Sequence, residues 1–156
     1  MDVKLNPQAD QNRPVLEPTR SYPILIVGGG FAGAYCARSL VAKLGAEALR
    51  DIALVADQNF ILFHPMLAEV SGSSISPLHV VNPLRRFCRG ISVFLGPVSD
   101  IDLDRKMVQF SPGPYVQAAS LAYEHLVLAI GSIVDVSRVP GMPEHCLLYT
   151  SDAADE

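Results

Sequence analysis

The segment Gly28-Gly29-Gly30-Phe31-Ala32-Gly33 constrains this chain more than any other. It follows an apolar run at residues 21–27 (SYPILIV) and precedes a stretch, residues 31–44, in which Ala32, Ala34, Ala37, Leu40, Val41 and Leu44 recur at helical spacing. The apolar run is short, continuous and rich in branched residues, as expected of a parallel strand buried on both faces. Gly45 is placed to stop the helix. Residues 51–56 (DIALVA) read as a second buried strand, so strand, tight loop, helix and strand make one right-handed βαβ unit.

In that setting Gly28-x-Gly30-x-x-Gly33 carries chemistry that the bare pattern does not. Gly28 allows the tight turn, Gly30 lets the backbone approach a pyrophosphate, and Gly33 lets helix and strand pack closely, with the small Ala37 on the same face. Phe31 and Ala32 open the helix, whose free N–H groups and positive dipole end suit phosphate oxygens. Asp57 ends the second strand, 24 residues after Gly33, where a carboxylate accepts hydrogen bonds from a ribose 2′-OH and disfavours a 2′-phosphate. The competing readings are a glycine-rich turn without a ligand and a solvated turn aspartate. Loop and aspartate together favour a dinucleotide, without separating NAD from FAD.

Farther along, residues 60–74 mix apolar residues with Pro65 and Gly72, which predicts a loop and a short helix. Residues 79–88 suggest a helix starting near Asn82 with Pro83 in its first turn. Residues 91–95 read as a third strand. Residues 98–103, 106–110 and 120–123 read as an antiparallel meander, with a turn at Asp104-Arg105 and a Pro/Gly-rich loop at 111–114. Residues 125–130 (HLVLAI) read as one more parallel-type strand, ending at Gly131. The expected fold class is α/β, a Rossmann-like domain of parallel sheet plus three-stranded meander, incomplete, over residues 21–145. Residues 1–20 are expected to be a disordered leader.

The bulk properties exclude several classes. A net charge of −4 leaves no basic footprint for nucleic acid. Cys36, Cys88 and Cys146 form neither CxxC nor CxxxxC, so no zinc ribbon or redox dithiol is encoded, and reduced thiols in a cytosolic protein are expected. The first twenty residues lack the apolar core of a secretory signal. Residues 24–42 are apolar enough to raise a membrane span, but four glycines and Arg38 suit a strand and buried helix better. Only 18% of residues are charged, which fits a piece of a larger protein or one that meets a membrane. Residues 146–156 resemble the translation of a transposase adapter used in sequencing libraries and are expected to be foreign. On that reading the native chain continues past His145, and loss of Asp152, Asp155 and Glu156 leaves 13 acidic against 12 basic residues.

The segment Tyr123-Glu124, then His125-Leu126-Val127-Leu128-Ala129-Ile130-Gly131, with Val139-Pro140-Gly141 beyond, resembles the second flavin fingerprint of flavoproteins with two dinucleotide domains. That pattern reads Tyr-Asp, an apolar strand, Ala-Thr-Gly and a Pro-Gly; Glu124 stands for its Asp and Ile130 for its Thr, while Gly131 is kept. Residues 59–72 (NFILFHPMLAEVSG), with 79–86 (HVVNPLRR), resemble the corresponding segments of type II NADH dehydrogenases. Gly96-Pro97-Val98 resembles the point where that family holds the adenine through backbone groups of a valine. The similarity covers residues 22 to 145.

The resemblance implies an FAD-dependent NADH:quinone reductase that does not pump protons. NADH is its co-substrate, and a quinone or other small acceptor its partner. It implies an FAD domain split around a nicotinamide domain, a C-terminal region attaching an otherwise cytoplasmic protein to the inner face of the cell membrane, and leaves room for a homodimer. The FAD contacts expected here are Gly28, Gly30, Phe31, Ala32, Gly33, Asp57, Val98, Ala129 and Gly131. No metal ligand and no catalytic acid, base or nucleophile is expected, because the flavin ring carries the redox work. His64, Arg85, Arg86 and Cys36 are expected to be a loop histidine, a solvated helix face and a small core residue. The chain itself is expected to be inactive. The alternatives are another flavoprotein reductase, of the sulfide:quinone or ferredoxin type, and a non-catalytic FAD- or NAD-binding module.

Overall fold

The structure is a computed structural model and describes residues 18–111 and 118–132. The bulk of the leader, the Val139-Pro140-Gly141 motif, residues 146–156 and most of the 111–114 loop lie outside that range.

Strand β1 (Arg20–Val27) runs into the glycine loop, and α1 (Phe31–Leu44) carries the chain back to β2 (Ile52–Ala56), parallel to β1. Every residue of β2 is buried, as a strand covered on both faces requires. Gly45 ends α1 at φ +87°, its N–H donating to the Val41 carbonyl. The predicted βαβ unit is therefore present, and the apolar stretch at residues 24–42 divides between β1 and α1. Among the described residues, no helix is long and apolar enough to cross a membrane.

Between β2 and the next parallel strand lies a small antiparallel pair, β3 (Phe60–Leu62) with β4 (Val81–Pro83), joined through α2 (Leu67–Ser71). The helix predicted around residues 82–88 is shorter than expected. Val81–Pro83 are extended, and α3 spans only Leu84–Phe87, with Pro83 as its cap residue. Proline is tolerated there because β4 is an edge strand.

Strand β5 (Ser92–Leu95) pairs with β2. Then β6 (Val98–Asp102) and β7 (Met107–Phe110) form an antiparallel hairpin with a register shift between Val98 and Asp100. The meander's third strand and the last parallel strand, expected as separate elements, are one ten-residue strand, β8 (Ala119–Leu128). Its first residues pair antiparallel with β7, and it runs parallel to β1 over almost its full length. The six-stranded sheet has the order β5-β2-β1-β8-β7-β6.

Two cores follow from the alternation of side chains along β1 and β2. Leu25, Val27, Ala53 and Val55 pack with Val98, Ile101, Val108 and Phe110, so the meander lies over that face. Ile26, Ile52, Leu54 and Ala56 meet Ala34 and Ala37 of α1 and Leu84 of α3 on the other. The small residues of α1 let it sit close to the sheet. Cys36 is half-buried against this second core.

Candidate dinucleotide site

Four parallel strands end on the same edge of the sheet. The chain leaves β1 at Gly28, β2 at Asp57, β5 at Gly96 and β8 at Ala129. In open α/β sheets the crevice beyond the carboxyl ends is where ligands bind. All nine expected contact residues lie on these exits or on the first turn of α1, except that Val98 comes one turn later, as the first residue of β6.

The glycine loop is built by close approach. Gly28 has φ +113°, and its N–H donates to the Val55 carbonyl at 2.9 Å. A Cβ on Gly28 would run into the Ala129 carbonyl, and one on Gly33 into the Gly28 carbonyl. Ala129 is fixed in turn by donation of its N–H to Val27 at 2.7 Å. The loop, the start of α1 and the end of β8 thus interlock through backbone alone. Gly29, read as a variable position, is equally constrained: a Cβ there would lie 2.5 Å from the Cβ of Ala56 and 2.8 Å from Cδ2 of Leu84. The missing signals were Ala56 and Leu84, distant in sequence, which only the tertiary fold brings against the loop.

Gly30 is the exception. It caps α1 in extended conformation, without a side-chain hydrogen bond, and a Cβ there would meet nothing within 4 Å. The first turn of α1 contains no acidic residue. The first intrahelical bond recorded at this end is Ala34 N–H to Gly30 carbonyl, at 3.0 Å. The N–H groups of Phe31, Ala32 and Gly33 precede it and are the orphan donors of the helix start. Open space beside uncapped donors at a positive dipole end suits a pyrophosphate.

Asp57 is exposed one residue past β2. The Gly96 N–H donates to the Ala56 carbonyl at 2.8 Å, so the turn leading to Val98 passes beside the end of β2. The Val98 side chain is buried in the meander core, which leaves its backbone as the part available to a ligand. Gly131 has φ +71° with open space around it. The Phe31 ring is half-exposed and packs edge-on against Phe63, centroids 6.1 Å apart. His64, Arg85 and Arg86 are exposed. Among the described residues no cluster of three or more His, Cys, Asp or Glu is arranged to hold a metal.

The family described as pyridine nucleotide-disulphide oxidoreductase matches residues 22–156. A type II NADH:quinone oxidoreductase of Mycobacterium tuberculosis is 35% identical over 96 residues, covering 60% of this chain and 20% of its own. An external alternative NAD(P)H-ubiquinone oxidoreductase B1 of Solanum tuberosum mitochondria is 25% identical over 146 residues, covering 88% and 24%. Among solved structures, NDH2 of Plasmodium falciparum in complex with NADH shares the fold at TM-score 0.62 and 17% identity, over 78% of this chain and 24% of that one. The chain thus spans about a fifth to a quarter of the length of these relatives.

Proposed function

The chain belongs to the pyridine nucleotide-disulphide oxidoreductase family, and from that premise we propose that it forms the FAD-holding start of an NADH:quinone oxidoreductase. FAD is the family's cofactor and NADH its reductant. When bound, the flavin supplies the redox chemistry. The residues of this chain supply its anchorage. Gly30, Phe31, Ala32 and Gly33 present backbone donors to the pyrophosphate, Asp57 accepts from the adenosine ribose, and the backbone at Val98 borders the adenine. Ala129 and Gly131 carry the chain past the cofactor on the β8 side.

The observation that carries this reading is the empty space at Gly30 beside the uncapped start of α1, in a loop whose other glycines are all filled against neighbours. Gly30 is exposed, so nothing stands between a ligand and the uncapped start of α1. Quinone as acceptor rests on the names of the relatives, an NADH:quinone and an NAD(P)H-ubiquinone oxidoreductase, as does NADH as donor. Attachment to a membrane surface and dimer formation belong to the same proposal.

A calorimetric titration of the chain with FAD tests the anchorage. Saturable binding is expected, in the roughly micromolar range or weaker, and Gly30→Val should abolish it without unfolding the protein. No binding, or equal binding by the variant, would sink the site. The chain alone is expected not to consume NADH, and turnover above the blank would overturn that expectation.

A further inference from the structure

We propose that the cleft between α1 and α3 is a second ligand site, for an organic phosphate bearing a short apolar chain. The cleft has a volume of about 760 Å³, and its lining includes Arg38, Arg86, Arg89, Asn82, Phe87 and Leu78. A smaller cavity of about 220 Å³ shares Arg38, Phe87 and Arg89 with it and is otherwise walled by Ala37, Val41, Ala42, Cys88 and Ile91. A cationic chamber therefore opens onto an apolar one.

The charge is not a by-product of a basic protein. The chain carries a net −4, yet three of its twelve Lys and Arg converge here, and among the described residues no carboxylate lines either cavity. Among the described residues, none of the three arginines has an ion-pair partner. Arg38 is instead held over the Phe87 ring, its Cζ 4.7 Å from the centroid, and Phe87 is braced edge-on by Tyr35. A ring positions a guanidinium without neutralising it. All three cations are arginines, whose planar forks match phosphate oxygens in pairs, and Asn82 adds an amide. The site is separate from the glycine loop, since Arg38 stands seven residues, roughly 10 Å, along α1 from Phe31. Leu78, 83% exposed at the mouth, gives the apolar part of a ligand a further surface.

The test is an NMR titration of the full chain that follows the arginine Nε–H signals. The probes are soluble dihexanoyl phosphatidic acid, inorganic phosphate and phosphatidylglycerol vesicles. The soluble amphiphile is expected to move Arg38, Arg86 and Arg89 saturably and to bind at least about tenfold more tightly than inorganic phosphate, through the buried methylenes. Arg38→Gln and Arg86→Gln should each weaken it roughly tenfold. Ala42→Leu, which occupies the small cavity, should remove the advantage of the amphiphile while the arginine shifts with phosphate remain. Unchanged unfolding midpoints would show that each variant is folded. The proposal is overturned by the absence of saturable shifts, by equal affinity for both soluble probes, by indifference to the arginine substitutions, or by shifts confined to residues 28–33. Binding to the vesicles without binding to the soluble amphiphile would also overturn it, in favour of a membrane contact.

Discussion

Gly28 and Gly30 stand two residues apart and tolerate opposite things. Gly28→Ala places a methyl against the Ala129 carbonyl in a backbone conformation, φ +113°, that L-residues rarely adopt. It is expected to cost roughly 2–4 kcal/mol, readable as a lower denaturant midpoint. Gly30→Ala meets nothing and should stay within about 1 kcal/mol of the parent, the difference between glycine and alanine at a helix cap. The same methyl would intrude where the pyrophosphate is proposed, so FAD affinity should fall at least about tenfold. Similar stability losses in the two variants would remove the distinction on which the site rests. At this scale much of the candidate site was legible, because a turn that brings three backbones together has few residue choices. Gly29 was not, because its constraint comes first from Ala56 and then from Leu84, and a pattern of spacings along one loop carries no record of distant side chains.

Elements show where local pattern reaches its limit. Strand β1, helix α1 and strand β2 were readable because continuous apolar runs and helical spacing survive burial on both faces. Strand β8 was divided in two because Glu124 and His125 interrupt its apolar run. Both are exposed in mid-strand, beyond the stretch paired with β7, so polar residues there mark the end of that cover and not the end of the strand. The pair β3–β4 was missed because three residues are too few for a period and Pro83 argues against a strand. Helix α3 has only four residues, and its hold is Leu84, fully buried between the glycine loop and the second core. Leu84→Ala is expected to cost about 2–4 kcal/mol and to speed amide exchange at Gly29. Normal stability would mean that α3 does not support the loop. Cys88, which follows α3, is buried, its Sγ 4.0 Å from the Ala34 carbonyl. Burial pushes its thiol above the ordinary 9.0, with Arg38 opposing to a lesser degree. The folded state thus favours the neutral thiol. That contribution is whole below pH 9.0 and is lost as pH rises through the higher folded value. The urea midpoint should decline in that interval, and Cys88→Ala should decline less steeply. Parallel curves would show that Cys88 is not responsible.

For the whole molecule, two cores on opposite faces of one sheet make β1, β2 and β8 its centre, while β5, β6 and the β3–β4 pair lie at its margins. The polarity of the surface is uneven in a way that follows from this layout. Phe31, Phe63, Met66, Leu128 and Ile130 are all substantially exposed; Phe31 is itself an expected cofactor contact, and Ile130 stands between two others, Ala129 and Gly131. Strand β8 adds a backbone counterpart. Among the described residues it is covered on that side only by β7, over Ala119–Ala122, with Tyr123 still bonded to the Lys106 carbonyl, whereas β1 accompanies it to Leu128. Backbone groups in a strand point alternately to either side, so between residues 125 and 128 every second amide has β1 as its partner and the others face away from it. Hydrogen exchange on the isolated chain should therefore be slowest in β1, β2 and the first half of β8, and fast in β3 and β4. Over residues 125–128 protection should alternate, with neighbouring amides differing by about a hundredfold or more, as expected when one is bonded and the next is open to water. Uniform strong protection there would mean that another strand covers this edge in solution. The β8 side of the proposed cofactor crevice would then be closed and not open.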